Sequence, residues 1–283
     1  MAESCRLGWR ITLMAVVVWL TAGATGEAAD KITGILRVRD VLTLPNHSVR
    51  IEAHLTGKTS TGGSLLGGVA LHLHIDGKEV ATGKTNEAGQ ASFDYLPKMR
   101  GMNVITVSVD RAAPITAVNS DATLCVWERR RPILIVELEA LIQPNVSEST
   151  PAASMSSAQP VPDAAEELSR LTQYYYNVVY VLGGEQAKAE TTSIGDARRW
   201  LASHTFPTGL VVIPPSDGLS ATIENFKEGG WSTLKSGIGR TRLFADTLLQ
   251  HRMEVVVVPE LPKGELPRKA KSAKDWKEVR KKL

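Results

Sequence analysis

The sequence predicts two structural classes in one chain, an antiparallel β-sandwich followed by an α/β domain with a parallel sheet. Three observations predict it. Hydrophobic residues alternate with period two from Ile32 to Trp127; four unalternating apolar runs separated by helical patterns follow from Pro132; and the chain is long enough for two cores.

The first element in order is a secretory signal over residues 1–29. Arg6 and Arg10 form a basic start, Ile11 to Ala22 an apolar stretch, and Ala22-Gly23-Ala24 and Ala28-Ala29 the small residues of a cleavage region. The apolar stretch falls short of the roughly 20 residues that span a bilayer, and Cys5 precedes it, which argues against lipid attachment there. The expectation is export to the periplasm, cell surface or medium. Removing the signal leaves about 255 residues, more than one typical domain, and leaves Cys125 as the lone thiol. Stability must then come from burial and not from a disulfide.

The sandwich is expected over 31–128. Val49, Ile51, Ala53 and Leu55 alternate with Arg50, Glu52 and His54, and Val69, Leu71, Leu73 and Ile75 alternate with Ala70, His72 and His74. Asp76-Gly77 supplies a tight hairpin turn, with Val80 and Thr82 returning. Asn86-Glu87-Ala88-Gly89 turns the chain into Ala91, Phe93 and Tyr95. Gly101 precedes Ile105, Val107 and Val109, and Ala122, Leu124 and Val126 close the set. About seven short strands with regular turns indicate a sandwich.

The α/β domain is expected over 130–262. Ile133 to Val136, Val178 to Leu182, Leu210 to Ile213 and Val255 to Val258 read as strands covered on both faces. Between them lie helical patterns: one begins at Pro162-Asp163 with Ala164, Leu168, Leu171 and Tyr175 on a face, one carries Ile194, Ala197 and Leu201, and one runs from about Arg240 to Gln250. Gln143 to Val161, rich in Ser, Ala and Pro, is read as a loop with no element.

The last stretch, 263–283, is strongly basic: Lys263, Arg268, Lys269, Lys271, Lys274, Lys277, Arg280, Lys281 and Lys282 face only Glu265, Asp275 and Glu278, in a chain whose net charge is +3. A solvated helix is the plain reading. Another exported protein, or an anionic surface met by this tail, is the partner it suggests; specific nucleic-acid binding is not expected.

Two resemblances sharpen these readings. The run Gly68 to Lys78, continuing through Thr85 to Phe93, resembles bacterial immunoglobulin-like modules of exported proteins, which implies binding or positioning. Arg131-Pro132-Ile133-Leu134-Ile135-Val136 followed by Glu137-Leu138-Glu139-Ala140-Leu141 resembles the haloacid-dehalogenase-like phosphatases. Trp200-Leu201, Phe206-Pro207-Thr208-Gly209, Phe226-Lys227 and Gly237-Ile238-Gly239-Arg240 are similar to the phosphatidate phosphatase (lipin-like) branch.

That family places Asp-x-Asp-Gly-Thr after the first strand and works with a carboxylate nucleophile, a second acid and Mg²⁺. The departures fall on that chemistry. Glu137 and Glu139 replace the aspartates, and an added methylene displaces each carboxylate by about 1 Å, a misplacement able to cost on the order of 10²-fold. Leu141 and Leu182 stand where hydroxyls would bind phosphate, and Asp246 lies two places late for a metal ligand. Lys227 survives, with Lys235 as a competitor. The sequence is therefore read as a non-catalytic binding or scaffolding protein with a degenerate pocket of Glu137, Glu139, Lys227 and Asp246 and no cofactor. The alternative is a Mg²⁺-dependent phosphatase of an exported phosphoester or phosphatidate, with Glu137 as nucleophile and Glu139 as acid. Glu137 and Glu139 also read simply as strand-end carboxylates, in solvent or paired with Lys227 or Arg240.

Three imidazoles, His54, His72 and His74, could bind Zn²⁺ or Cu²⁺ if their strands are neighbours; a solvated sheet face is the plainer reading. Cys125 has no histidine placed to activate it.

Overall fold

The computed structural model describes residues 32–57, 66–144, 158–183, 192–215 and 218–283. The export signal read over 1–29 and most of the loop read over Gln143 to Val161 lie outside them. Among the described residues no helix is long and apolar enough to cross a membrane.

Among the described residues nine strands build the sandwich. β1 (Ile32–Val38), β3 (Val49–Gly57), β6 (Gln90–Tyr95) and β8 (Ile115–Val118) form one sheet in the order β6-β3-β1-β8. β2 (Val41–Thr43), β4 (Ala70–Ile75), β5 (Lys78–Lys84), β7 (Gly101–Val109) and β9 (Ser120–Val126) form the other in the order β2-β9-β7-β4-β5. The alternation decides which face is buried: Ile51, Ala53 and Leu55 from one sheet meet Leu71, Leu73, Ile75, Ile105 and Val107 from the other. Each such side chain, fully buried, contributes about 1.5–3 kcal/mol. The hairpin at Asp76-Gly77 has φ of 50° and 78°, the pair of positive angles a two-residue turn of this hand needs. Gly89 at φ 72° is required twice over, because a Cβ there would sit 2.2 Å from the Leu55 carbonyl oxygen.

The second half is a six-stranded, all-parallel sheet of order β12-β11-β10-β13-β14-β15, from β10 (Ile133–Glu137), β11 (Asn177–Val181), β12 (Leu210–Val212), β13 (Leu234–Gly239), β14 (Glu254–Val257) and β15 (Lys271–Ser272). α1 (Ala164–Tyr174) and α2 (Thr192–Ser203) cover one face, where Leu134, Val136, Val178 and Tyr180 meet Leu168, Leu171, Ala197 and Trp200. α3 (Gly218–Glu228) and α4 (Arg242–Gln250) cover the other, where Ile133, Ile135, Val179 and Val255 meet Ile223, Phe244 and Leu248. Helices on both faces explain the unalternating strands.

β13 was not among the expected strands, because Ser236, Gly237 and Gly239 are poor strand formers. Packing overrides that preference. A Cβ on Gly237 would lie 2.0 Å from Leu248 Cδ2, and one on Gly239 2.2 Å from Phe244 Cδ1, so α4 lies directly on the bare backbone of this strand.

The two halves share a core. Cys125 and Trp127 at the end of the sandwich are buried in one apolar cluster with Ile133, Val179, Leu210 and Trp231, and Trp127 meets Trp231 edge-on at 6.4 Å. Asp40, between β1 and β2, carries the polar part of the seam. Its side chain is 3% exposed; Oδ1 accepts from Arg198 Nη2 of α2 at 2.5 Å and from Thr123 N at 2.7 Å, and Oδ2 accepts from Val211 N at 3.2 Å. The last bond satisfies a backbone donor on the open edge of the parallel sheet.

The basic C-terminal stretch is not a free tail. β15 adds to the sheet, and α5 (Trp276–Lys282) buries Trp276 and Val279 in the α1 side of the core. Trp276 Nε1 donates to the Ala140 carbonyl at 3.2 Å. Lys277 pairs with Asp163 and Arg280 with Glu167, both of the α1 region, and Lys271 with Glu254. The apolar face that could have entered a membrane surface is spent on the protein's own core.

Candidate functional site: the carboxyl ends of β10 and β13

In an open parallel sheet a crevice forms beyond the carboxyl ends of the strands where the order reverses. Here that place lies between β10, whose chain continues toward β11, and β13, whose chain continues toward β14. β10 ends at Glu137. β13 ends at Gly239, followed by Arg240, Thr241 and the first turn of α4. The backbone N–H groups of such a turn, at the positive end of a helix dipole, are suited to hold an anion.

The anion in place is the protein's own. Glu137 is 5% exposed, and its Oε2 accepts from Arg240 N at 2.6 Å and from Thr241 N at 2.9 Å. Oε1 accepts from the Thr241 hydroxyl at 2.5 Å, while that hydroxyl oxygen accepts from Phe244 N and caps α4. The absence of a side chain at Gly239 permits this approach, since a Cβ there would lie 2.8 Å from Glu137 Oε2.

Glu139 is next to it, on the 3-10 turn Leu138–Leu141 that follows β10, half-buried and facing Gly183, whose added Cβ would lie 3.7 Å from Glu139 Oε1. Burial pushes its carboxyl above the ordinary range, the charge of Glu137 adds to the push, and Arg240 opposes both. Burial pulls the Arg240 guanidinium down from its usual value, and the two glutamates counter that pull. Arg240 Nε is buried with no hydrogen-bond partner among the described residues. The site is thus a compact group of Glu137, Glu139, Arg240 and Thr241.

Lys227 and Asp246 do not join it. Lys227, at the end of α3, has its Nζ 3.3 Å from His251 Nδ1, and His251 Nε2 lies 2.7 Å from the Ser220 hydroxyl. Lys227 thus belongs to a separate contact chain with His251 and Ser220, away from Glu137. Asp246 faces solvent on α4 and pairs with Arg242 four residues earlier. Lys235 is exposed, and Leu141 and Leu182 are fully buried in the core, Leu182 with its N–H on the Val212 carbonyl. Of the two partners that the sequence offered for Glu137 and Glu139, the structure brings up Arg240 and not Lys227; Thr241 is the contact that sequence reasoning missed, and the signal was Gly237-Ile238-Gly239, which it took only as a turn.

The donor set does not fit Mg²⁺. That ion demands an octahedron of oxygens at about 2.0–2.1 Å, whereas both lone pairs of Glu137 Oε2 are taken by N–H groups. The β13–α4 turn presents donors where a metal needs carboxylates, and Arg240 already brings positive charge. Among the described residues no three His, Cys, Asp or Glu side chains are arranged to hold a metal.

The three histidines do not share a sheet. His54 is on β3, on the outer face of one sheet, and His72 and His74 are on β4, on the outer face of the other, with the sandwich core between. His72 lies between Asp110 at 2.9 Å and Glu79 at 3.1 Å, and Glu79 also reaches His74 at 3.9 Å. Cys125 is buried, and burial, with the Asp40 charge beside it, pushes its thiol well above the usual range, so it is an unreactive core group.

No family model and no curated protein matches the chain. Among solved structures, it is similar to a D,D-heptose 1,7-bisphosphate phosphatase from B. bronchiseptica complexed with magnesium and phosphate, at 17% identity and TM-score 0.41, over 51% of this chain and 93% of that one. It is also similar to fibronectin(III)-like modules of Clostridium thermocellum CbhA, at 12% identity and TM-score 0.23, over 32% of this chain and 94% of that one. A CARDB domain from Pyrococcus furiosus, in complex with di-metal ions, matches at 18% identity and TM-score 0.26, over 34% of this chain and 87% of that one. The fold itself, a sandwich followed by a parallel α/β sheet, stands on the strand order and registers above.

Proposed function

We propose that this is an exported, non-catalytic binding or scaffolding protein whose α/β half keeps a phosphatase-like frame without phosphoryl-transfer chemistry. The observation that carries the reading is the engagement of Glu137. A nucleophile must present a free oxygen to the substrate, and this carboxylate instead takes the donors that the β13–α4 turn would offer a phosphate. Glu139, its carboxyl raised by burial and by the charge of Glu137, has no reacting group to serve. The immunoglobulin-like half, joined to it by a common core, supplies a rigid platform of the kind used for recognition.

The test uses the mature chain and its Glu137→Gln variant with Mg²⁺, on p-nitrophenyl phosphate and on phosphatidate vesicles. The expected result is no turnover by either protein on either substrate. Mg²⁺-dependent turnover abolished by Glu137→Gln would overturn the non-catalytic reading, and turnover confined to phosphatidate would favour the lipid-phosphatase branch. Export is tested separately, by N-terminal sequencing of the chain recovered outside the cytoplasm; the expected new terminus lies between Gly23 and Lys31.

A further inference from the structure

The outer face of β4 carries a polar cluster far in kind from the β10–β13 crevice. Leu71, Leu73 and Ile75 of this strand lie in the sandwich core, so His72 and His74 point outward together. No lysine or arginine opposes them: across the ladders His72 faces Thr82 and Ser108, and His74 faces Glu79 and Thr106. The β4–β5 register shifts between Leu73 and His74, which leaves Val80 as an extra residue beside Glu79. Such a bulge bends its strand and re-aims side chains, and bulges are common next to functional sites.

Glu79 reaches both imidazoles. Its Oε1 lies 3.1 Å from His72 Nδ1 and its Oε2 3.9 Å from His74 Nε2. His72 Nε2 is held by Asp110 Oδ2 at 2.9 Å, and Asp110 Oδ1 accepts from Ala112 N at 2.7 Å. A carboxylate on the far nitrogen of a histidine is the arrangement that orients metal-ligating imidazoles and sets their tautomer. With a proton on Nε2 donated to Asp110, the Nδ1 lone pair is left facing Glu79. Two carboxylates on one ring favour a second proton, and Asp110 first and then Glu79 raise His72 above its ordinary value. A divalent cation between Nδ1 and Glu79 can take the place of that proton. His74 Nε2 is the second nitrogen within reach, its Nδ1 being buried with no hydrogen-bond partner among the described residues.

As they stand these groups are hydrogen-bonded to one another, and among the described residues no three yet surround one point as a shell. The shortfall is small. Neighbouring ligands of a tetrahedral ion with bonds of about 2.0–2.1 Å lie about 3.3 Å apart, against the 3.1 and 3.9 Å found between Glu79 and the two rings. The Glu79 side chain, 49% exposed, has the room to close that difference.

We propose that His72 Nδ1, His74 Nε2 and the Glu79 carboxylate form a binding site for a divalent transition-metal ion of the Zn²⁺ class, with Asp110 positioning His72. Imidazole suits such an ion, and two histidines with a glutamate are one of its donor sets. The site is independent of the β10–β13 crevice and of whether that crevice is catalytic.

The untagged mature protein, stripped with EDTA and desalted, is titrated with ZnCl₂ by calorimetry, and with MgCl₂ as the oxygen-preferring control. The expected result is saturable binding of one Zn²⁺ per chain with Kd below about 10 µM, and none of Mg²⁺. His72→Gln, His74→Gln and Glu79→Gln should each abolish saturation in that range. Asp110→Asn, which keeps an acceptor for Ala112 N, should weaken binding by about tenfold or more. His54→Gln, on the other sheet, should bind as wild type does. Zn²⁺ should also raise the melting temperature of wild type and leave that of His74→Gln unchanged. Thermal unfolding of each variant in EDTA checks that the fold is intact. No saturable Zn²⁺ binding below about 100 µM, equal binding of Mg²⁺, or wild-type affinity in any of the three ligand variants would overturn the proposal.

Discussion

Removing the Asp40 carboxylate tests how the two halves are held. Asp40→Ala deletes the acceptor of Arg198 Nη2, Thr123 N and Val211 N at once, at a place where the Asp40 side chain is 3% and that of Arg198 20% exposed. Arg198 would keep only its Nη1 bond to the Asp121 carbonyl, with its Nε already lacking a partner among the described residues. Breaking one side of a buried ion pair costs about 3–5 kcal/mol because the other charge is stranded. For a protein of this size 1 kcal/mol corresponds to about 2–4 °C, so the melting temperature should fall by about 6–20 °C.

Asp40→Asn should cost less. It keeps one oxygen for Arg198 Nη2 and Thr123 N and gives up only the acceptor of Val211 N, and burial already pushes the Asp40 carboxyl above its ordinary range, with Arg198 and the two backbone N–H groups only partly offsetting it, so the negative charge itself is disfavoured there. The assay is urea unfolding followed by far-ultraviolet circular dichroism and by tryptophan fluorescence, since Trp127 and Trp231 report on the seam. Asp40→Ala within about 1 kcal/mol of wild type, or Asp40→Asn more damaging than Asp40→Ala, would refute the account of the buried pair.

Three further outcomes are expected. Gly239→Ala should destabilise by about 1–3 kcal/mol, the usual cost of overpacking, because its methyl would meet Phe244 at 2.2 Å and Glu137 at 2.8 Å; equilibrium unfolding measures it, and a neutral result would mean that α4 can lift off β13. Trp276→Ala should cost about 3–5 kcal/mol and expose residues after Leu266 to proteolysis, since Trp276 is fully buried and anchors the chain end to Ala140; an unchanged digestion pattern would contradict that docking. His72 is raised above its ordinary value of 6.5, first by Asp110 and then by Glu79, so its contribution is complete below pH 6.5 and is lost as pH rises through its folded value. The stability gap between wild type and His72→Gln should therefore shrink as the pH rises above about 6.5. A gap that stays constant would show that the imidazole is not held in its charged form.

The sequence by itself determined what is local and periodic. Alternation at Val49 to Leu55 and Val69 to Ile75 assigned one buried face to each strand, Asp76-Gly77 located a hairpin, and the unalternating runs at Ile133 and Val178 announced strands covered on both sides, because burial acts on each residue's own neighbourhood. Glu137 and Glu139 were legible as strand-end carboxylates for the same reason. Only the tertiary structure decided what Glu137 does, because its partners Arg240 and Thr241 are 103 and 104 residues away in sequence and reach it through the pairing of β10 with β13. The same pairing turned a glycine-rich stretch into a central strand, since close helix packing rewards the absence of side chains that local propensity penalises. It was likewise the fold, and not the charge count, that spent the basic C-terminal stretch on Asp163, Glu167 and a buried Trp276: charge is a property of a segment, but whether it is free depends on what the rest of the chain brings beside it.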